Sequence, residues 1–173
     1  VGLQPGDSLL IERKPNGFFT TNRFADGRDL WMLATGTGLA PYLSILQDET
    51  TWQRFERLIV VHGAREAADL AYRDEIAALR AHPLWAEHGH KLLYQPVVTR
   101  EALAGALGER IPALIRGGQL EAAVGLPLGL EESRVMICGS PDMVRDCHQA
   151  LMARGFRLSR LAAPAQIAVE NAW

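Results

Sequence analysis

LATGTGLAP, residues 33–41, is a glycine turn set between an apolar run and the opening of a helix, and its reading decides the fold. Gly36 and Gly38 permit dihedrals closed to other residues and let a phosphate approach without meeting a Cβ. Pro41 suits the first turn of a helix running to about Gln47, because a proline there gives up an amide that has no helical acceptor anyway. Strand, Gly-Thr-Gly turn and helix, in that order, form the context in which such a turn receives a pyrophosphate. Glycine turns also end strands in folds that bind no nucleotide; here the flanks favour the nucleotide.

Outward from the turn, apolar runs at 30–34, 58–62, 91–98, 134–138 and 165–170 read as strands. Between them lie amphipathic stretches from 40, over 69–82, over 111–124 with a break at Gly117-Gly118, and over 142–154. In the last of these Met143, Val144, Cys147 and Leu151 share one face, Pro141 and Asp142 supply a start, and Gly155 a stop. Apolar strands separated by such helices predict an α/β fold: a doubly wound, mostly parallel five-stranded sheet with helices on both faces. Ahead of it, a short strand at 8–12, preceded by Pro5-Gly6-Asp7 and closed by Pro15-Asn16-Gly17, is a β element with too few neighbours to make a sheet.

With 173 residues, 48% of them hydrophobic, the chain can bury one domain and carry a fragment of another. A net charge of -2 gives no electrostatic reason to propose nucleic acid or an anionic membrane as partner. Two cysteines, Cys138 and Cys147, are too few for a four-thiolate cluster, and a reducing cytoplasm is the expected location. No apolar run approaches a membrane span. His82, His88, His90 and His148 lack metal-ligand spacing, so no metal is expected. The first residue is Val1, and the chain is expected to begin inside a longer polypeptide.

In open α/β sheets ligands bind outside the carboxyl ends of the strands, so the residues just after each strand carry the chemistry. After the first predicted strand come Thr35, Gly36, Thr37, Gly38, Leu39, Ala40 and Pro41; after the second, Gly63-Ala64-Arg65; after the third, Thr99-Arg100; after the fourth, Gly139, Ser140, Pro141 and Asp142. An NAD site usually offers an acidic side chain at the end of the second strand for the ribose 2′-hydroxyl. Arg65 stands there instead, and a guanidinium suits a 2′-phosphate, with Arg100 and Arg110 completing a cluster of fixed-charge forks. NADP is therefore preferred to NAD; the competing reading is three solvated surface arginines. Cys138 falls at the nicotinamide end of a ligand stretched across the strand tips, although taken alone it reads as a plain buried cysteine. Cys147 reads as core, and His62 as a packed or hydrogen-bonded histidine. Trp173 exposes a large ring at the terminus unless something covers it.

Together LWMLATGTGLAPYLSIL (30–46), VVHGAREAADLAYRDEI (60–76), VVTRE (97–101), GERIPALI (108–115), VMICGSPDMVRD (135–146) and the aromatic terminus resemble the bacterial ferredoxin (flavodoxin)–NADP⁺ reductases. The likeness covers nearly all of the chain from Leu30 onward. Gly-x-Gly-x-x-Pro in place of Gly-x-Gly-x-x-Gly is a feature of that reductase superfamily.

The resemblance implies an antiparallel FAD-binding barrel followed by an NADP-binding α/β domain. PGDSLLIERKPNGFF (5–19) looks like the end of that barrel, so residues 1–25 are expected to be a barrel remnant and 26–173 the NADP domain with a flavin-contacting tail. The family's Arg-x-Tyr-Ser flavin motif is absent, and FAD is expected to be held mostly by a barrel upstream. By position, Thr35 to Pro41 would hold the pyrophosphate, Arg65, Arg100 and Arg110 the 2′-phosphate, and Cys138 would border the nicotinamide. Glu170 matches an acid beside the flavin in related plastid enzymes, while Ala172 stands where their terminal aromatic would be. In the bacterial subgroup with an extended terminus, Trp173 would cover the adenine portion of the FAD. The implied activity is hydride transfer between NADP(H) and FAD coupled to one-electron exchange with ferredoxin or flavodoxin, in a monomer. A reductase component for another acceptor and a non-catalytic nucleotide-binding module are the alternatives.

Overall fold

The computed structural model describes residues 4–8, 10, 17, 19–85 and 87–171. Five apolar runs form one sheet: β1 (Asp29–Thr35), β2 (Arg57–Ala64), β3 (Leu92–Val98), β4 (Ser133–Gly139) and β5 (Ile167–Asn171). Their order is β3-β2-β1-β4-β5, and every pair is parallel. The chain winds outward from β1 through β2 to β3, then returns to place β4 on the other side of β1. Strand order therefore reverses between β1 and β4, and the crevice outside their carboxyl ends is where such sheets bind ligands.

Strands buried on both faces need helices on both, and the alternation of side chains shows how they divide. Trp31, Leu33, Ile59, Val61, Val135 and Ile137 point into a core closed by α4 (Ile111–Gly117), α5 (Gln119–Val124) and α6 (Pro141–Ala153). Leu30, Met32, Leu58, Val60, Met136 and Cys138 point the other way, onto Tyr42 of α1 (Ala40–Ile45), Trp52 of α2 (Glu49–Arg54) and Ile76 of α3 (Arg73–Leu79). Gly118, at φ 76, makes the break between α4 and α5 that the glycine pair predicts.

Two stretches differ from the sequence reading. The helix expected over 69–82 is divided into a 3-10 turn, Ala67–Asp69, and α3. Glu66 and Asp69 close that turn as a reciprocal cap, and Tyr72 then takes a left-handed backbone (φ 60) before α3 begins. The second difference is α2, a six-residue helix that periodicity cannot register. Asp48 caps it by accepting from Thr50 N at 3.0 Å, and Trp52 fixes it by donating to Leu46 O at 2.8 Å and stacking on Trp85.

Upstream, Asp7 N–H donates to Gln4 O across the Pro5-Gly6 turn, with Gly6 at φ 102. The predicted strand at 8–12 and its closing turn fall mostly outside the described residues. From 19 onward the chain lies on the α/β unit. Arg54 donates to Thr21 O and Phe24 O, and the buried Arg134 donates to Ala25 O, Asp26 O, Leu130 O and Ser133 O. Phe24 itself belongs to the second core.

Candidate nucleotide-binding site

A cavity of about 810 Å³ opens across the carboxyl ends of the strands. Thr35, the last residue of β1, stands at its floor, and Gly36 (φ 54) turns the chain into a 3-10 segment, Gly36–Leu39, that runs on into α1. That positive φ is open to glycine at little cost. Gly38 serves a different need. A Cβ there would come within 2.2 Å of Cys138 O and 2.6 Å of Gly139 N, so its bare Cα seats the turn against the tip of β4. Gly139 is equally confined, for its Cβ would lie 2.2 Å from Thr35 Oγ1. The same hydroxyl accepts from Ser140 N at 3.2 Å and ties the ends of β1 and β4 together at the switch point. Ser140 also caps α6 by accepting from Met143 N.

Three arginines stand around this floor. Arg65 follows β2, Arg100 follows β3, and Arg110 precedes α4 as its N-cap; all three line the cavity and are exposed. Among the described residues none of the three guanidinium groups has a hydrogen-bond or ion-pair partner, whereas Arg28, Arg57, Arg145 and Arg154 are engaged with carboxylates. The acidic residues of the wall are already committed. Asp142 and Asp146 both hold Arg145, and Asp69 accepts from Glu66 N. The cavity therefore presents fixed positive forks, backbone amides at the start of a helix and apolar surface from Val97, Ile111 and Pro112. Such a donor set suits a phosphorylated ligand with an apolar ring.

Cys138 is 1% exposed on β4, opposite Glu170 of β5, and is not part of the cavity wall. Burial first, and the Glu170 charge second, push its thiol up to about 11. It is neutral at physiological pH and unsuited to act as a nucleophile. His62 is buried, with Nδ1 3.1 Å from the Tyr94 hydroxyl, and burial pushes it down to about 4. Neither histidine nor acid gathers into a metal-holding group among the described residues.

Residues 32–149 match the family model of the oxidoreductase NAD-binding domain. Over 175 residues the chain is 38% identical to a ferredoxin–NADP reductase of Pseudomonas aeruginosa, covering 99% of this chain and 67% of that protein. The chain belongs to the ferredoxin–NADP reductase family. It is also similar to a flavodoxin/ferredoxin–NADP reductase of Shigella flexneri, 48% identical over 146 residues, or 84% of this chain and 57% of that one. It thus spans little more than half the length of that relative. Among solved structures, a ferredoxin NADP⁺ reductase from Neisseria gonorrhoeae with bound FAD and NADP superposes with a TM-score of 0.90 at 38% identity, covering 99% of this chain and 67% of that one.

Thr35, Gly36, Thr37, Leu39, Ala40, Arg65, Arg100, Arg110, Ser140 and Asp142 meet around one cavity. Gly38, Pro41, Gly139 and Pro141 stand outside its wall, where the two glycines act through close backbone packing. Glu170 is exposed on β5, while Ala172 and Trp173 lie outside the described residues. Gly63 and Thr99, named at the strand ends without a role of their own, also line the cavity, as do Asp69, Tyr72 and Met143, which sequence reasoning left out. A Cβ on Gly63 would sit 2.9 Å from Thr35 Cγ2. Tyr72 was hidden because its left-handed backbone interrupts what reads as one continuous helix.

Proposed function

We propose that this chain is the NADP-binding part of a ferredoxin (flavodoxin)–NADP⁺ reductase, acting with an FAD held mainly by residues preceding it. The observation that carries the reading is the set of three uncommitted guanidinium groups around the strand-end cavity, with arginine where an NAD site would carry an acid. Arg65, Arg100 and Arg110 would hold the 2′-phosphate through charge-assisted forks. The Thr35–Pro41 turn and the Ser140 corner would receive the pyrophosphate, with Gly38 and Gly139 keeping the two backbones close enough to do so. Residues 1–25 would be the end of the flavin-binding unit, and 26–173 the NADP domain with its tail.

When bound, the flavin supplies the conversion between a two-electron hydride and single electrons. The chain's own residues orient and bind. Cys138, kept neutral by burial, and Glu170 across the β4–β5 pair would mark the edge where the nicotinamide is received. Ferredoxin or flavodoxin, in the cytoplasm, would be the electron partner, in keeping with the names of the relatives. The test is steady-state turnover of the full-length protein with ferricyanide as acceptor. A kcat/KM for NADPH at least roughly a hundredfold above that for NADH is expected from charge-assisted contacts to the 2′-phosphate. Equal use of the two nucleotides, or no FAD-dependent turnover, would overturn the proposal.

A further inference from the structure

We infer that Glu101 is a positioning residue for 2′-phosphate recognition: its carboxylate fastens the loop that carries Arg65 to the loop that carries Arg100, and so sets the spacing of the two guanidinium groups. The inference rests on the reading of those arginines as 2′-phosphate ligands.

The β2–β3 pairing ends at Ala64 and Val98, yet the two chains stay joined beyond it. Thr99 N–H donates to Ala64 O at 3.2 Å, and Arg100 N–H donates to Arg65 O at 2.9 Å. The next link is made by a side chain. Ala67 N–H donates to Glu101 Oε1, which lies 34 residues away in sequence. Ala67 opens the 3-10 turn Ala67–Asp69, so its N–H has no acceptor within the turn, and Glu101 supplies one. With Glu66 and Asp69 capping the same turn reciprocally, the backbone on both sides of Arg65 is held. Both arginines are exposed and free of side-chain partners among the described residues, so the loop backbones alone decide how far apart their forks begin.

A carboxylate beside an anion-binding site opposes the ligand through its charge. If charge were its only effect, removing Glu101 would strengthen phosphate binding; if it braces the loops, removing it weakens binding. The two roles differ in sign. Glu101→Gln separates them, because the amide keeps an oxygen acceptor and loses the charge. Ala67→Pro cuts the same hydrogen bond from the donor side. Proline is tolerated at a first helical position, and Glu66 before it is extended (φ -124, ψ 157), the conformation a following proline requires.

The experiment is titration calorimetry on the full-length protein with 2′-phospho-AMP and AMP as probes. Glu101→Ala and Ala67→Pro are expected to lose roughly tenfold in affinity for 2′-phospho-AMP with AMP changed less than about twofold, and Glu101→Gln to bind 2′-phospho-AMP at least as tightly as wild type. Glu101→Ala matching or exceeding Glu101→Gln would overturn the inference, as would equal losses for both probes, which report general damage. Wild-type protein that fails to distinguish the probes would instead remove the reading of the arginines, and the inference with it.

Discussion

Replacing Gly38 by alanine would place a Cβ 2.2 Å from Cys138 O, 2.4 Å from the carbonyl carbon and 2.6 Å from Gly139 N. All three are backbone atoms at the tip of β4, so no side chain can swing aside. Ordinary contact would require the glycine turn and the strand tip to part by roughly 1 Å. They are not free to part, because Ser140 N–H donates to Thr35 Oγ1 at 3.2 Å across the same junction and Gly139 packs on that hydroxyl. Overpacking of about 1–3 kcal/mol, together with a weakened hydrogen bond of about 1 kcal/mol, puts the destabilisation at roughly 2–4 kcal/mol. In a domain of this size that lowers Tm by roughly 5–15 °C. Gly36→Ala is the comparison: its φ of 54 is strained for alanine, a penalty of about 1–2 kcal/mol. Differential scanning calorimetry of both variants measures the contrast. A Gly38→Ala protein that melts with wild type, or above Gly36→Ala, would refute the claim that Gly38 exists for the junction with β4.

Arg65→Ala should remove a charge-assisted contact and reduce the preference for 2′-phospho-AMP over AMP by about 1.5–3 kcal/mol, read by calorimetry; an unchanged preference would exclude Arg65 from the site. His62 titrates near 4 in the fold instead of 6.5, so as pH falls below 6.5 the unfolded chain takes up a proton that the fold refuses. Stability should therefore decline between those values by at most about 1.4 kcal/mol per pH unit, and His62→Gln should flatten that window in urea unfolding. Glu121 accepts two hydrogen bonds from Arg154, at 2.7 and 2.9 Å, and those bonds hold its carboxyl below the ordinary 4.5. Its stabilisation is present above 4.5 and lost as the carboxylate protonates on acidification. Glu121→Gln should cost about 1–3 kcal/mol at neutral pH and shrink the acid-induced loss below 4.5; parallel acid limbs would contradict this.

Much of this fold is written in periodicity. Buried strands read as mostly apolar runs, so the expected limits of all five lie within two residues of the observed ones. α6 was equally plain, because thirteen residues with a proline start and a glycine stop give a full amphipathic stripe. What escaped was short or bent. Six residues of α2 contain too few turns to show a stripe, and the left-handed backbone of Tyr72 splits an otherwise helical pattern without a glycine to announce it. At the site, the strand-end rule found the glycine turn and the three arginines because their position in the chain fixes their position in space. It could not show the packing demand on Gly38, since contact between the turn and β4 brings together residues a hundred positions apart. Glu101 was legible only as part of VVTRE, and the turn it binds at Ala67 has no sequence mark linking the two.

Phosphorus NMR of bound 2′-phospho-AMP reads the proposed contact between the strand-end guanidinium groups and a 2′-phosphate. Close positive charge favours the phosphate dianion, so the second pKa of the 2′-phosphate, about 6 for a free phosphomonoester, should fall on binding to the full-length protein. In Arg65→Ala it should recover part of the way. A bound 2′-phosphate that titrates as it does free in solution would contradict the account.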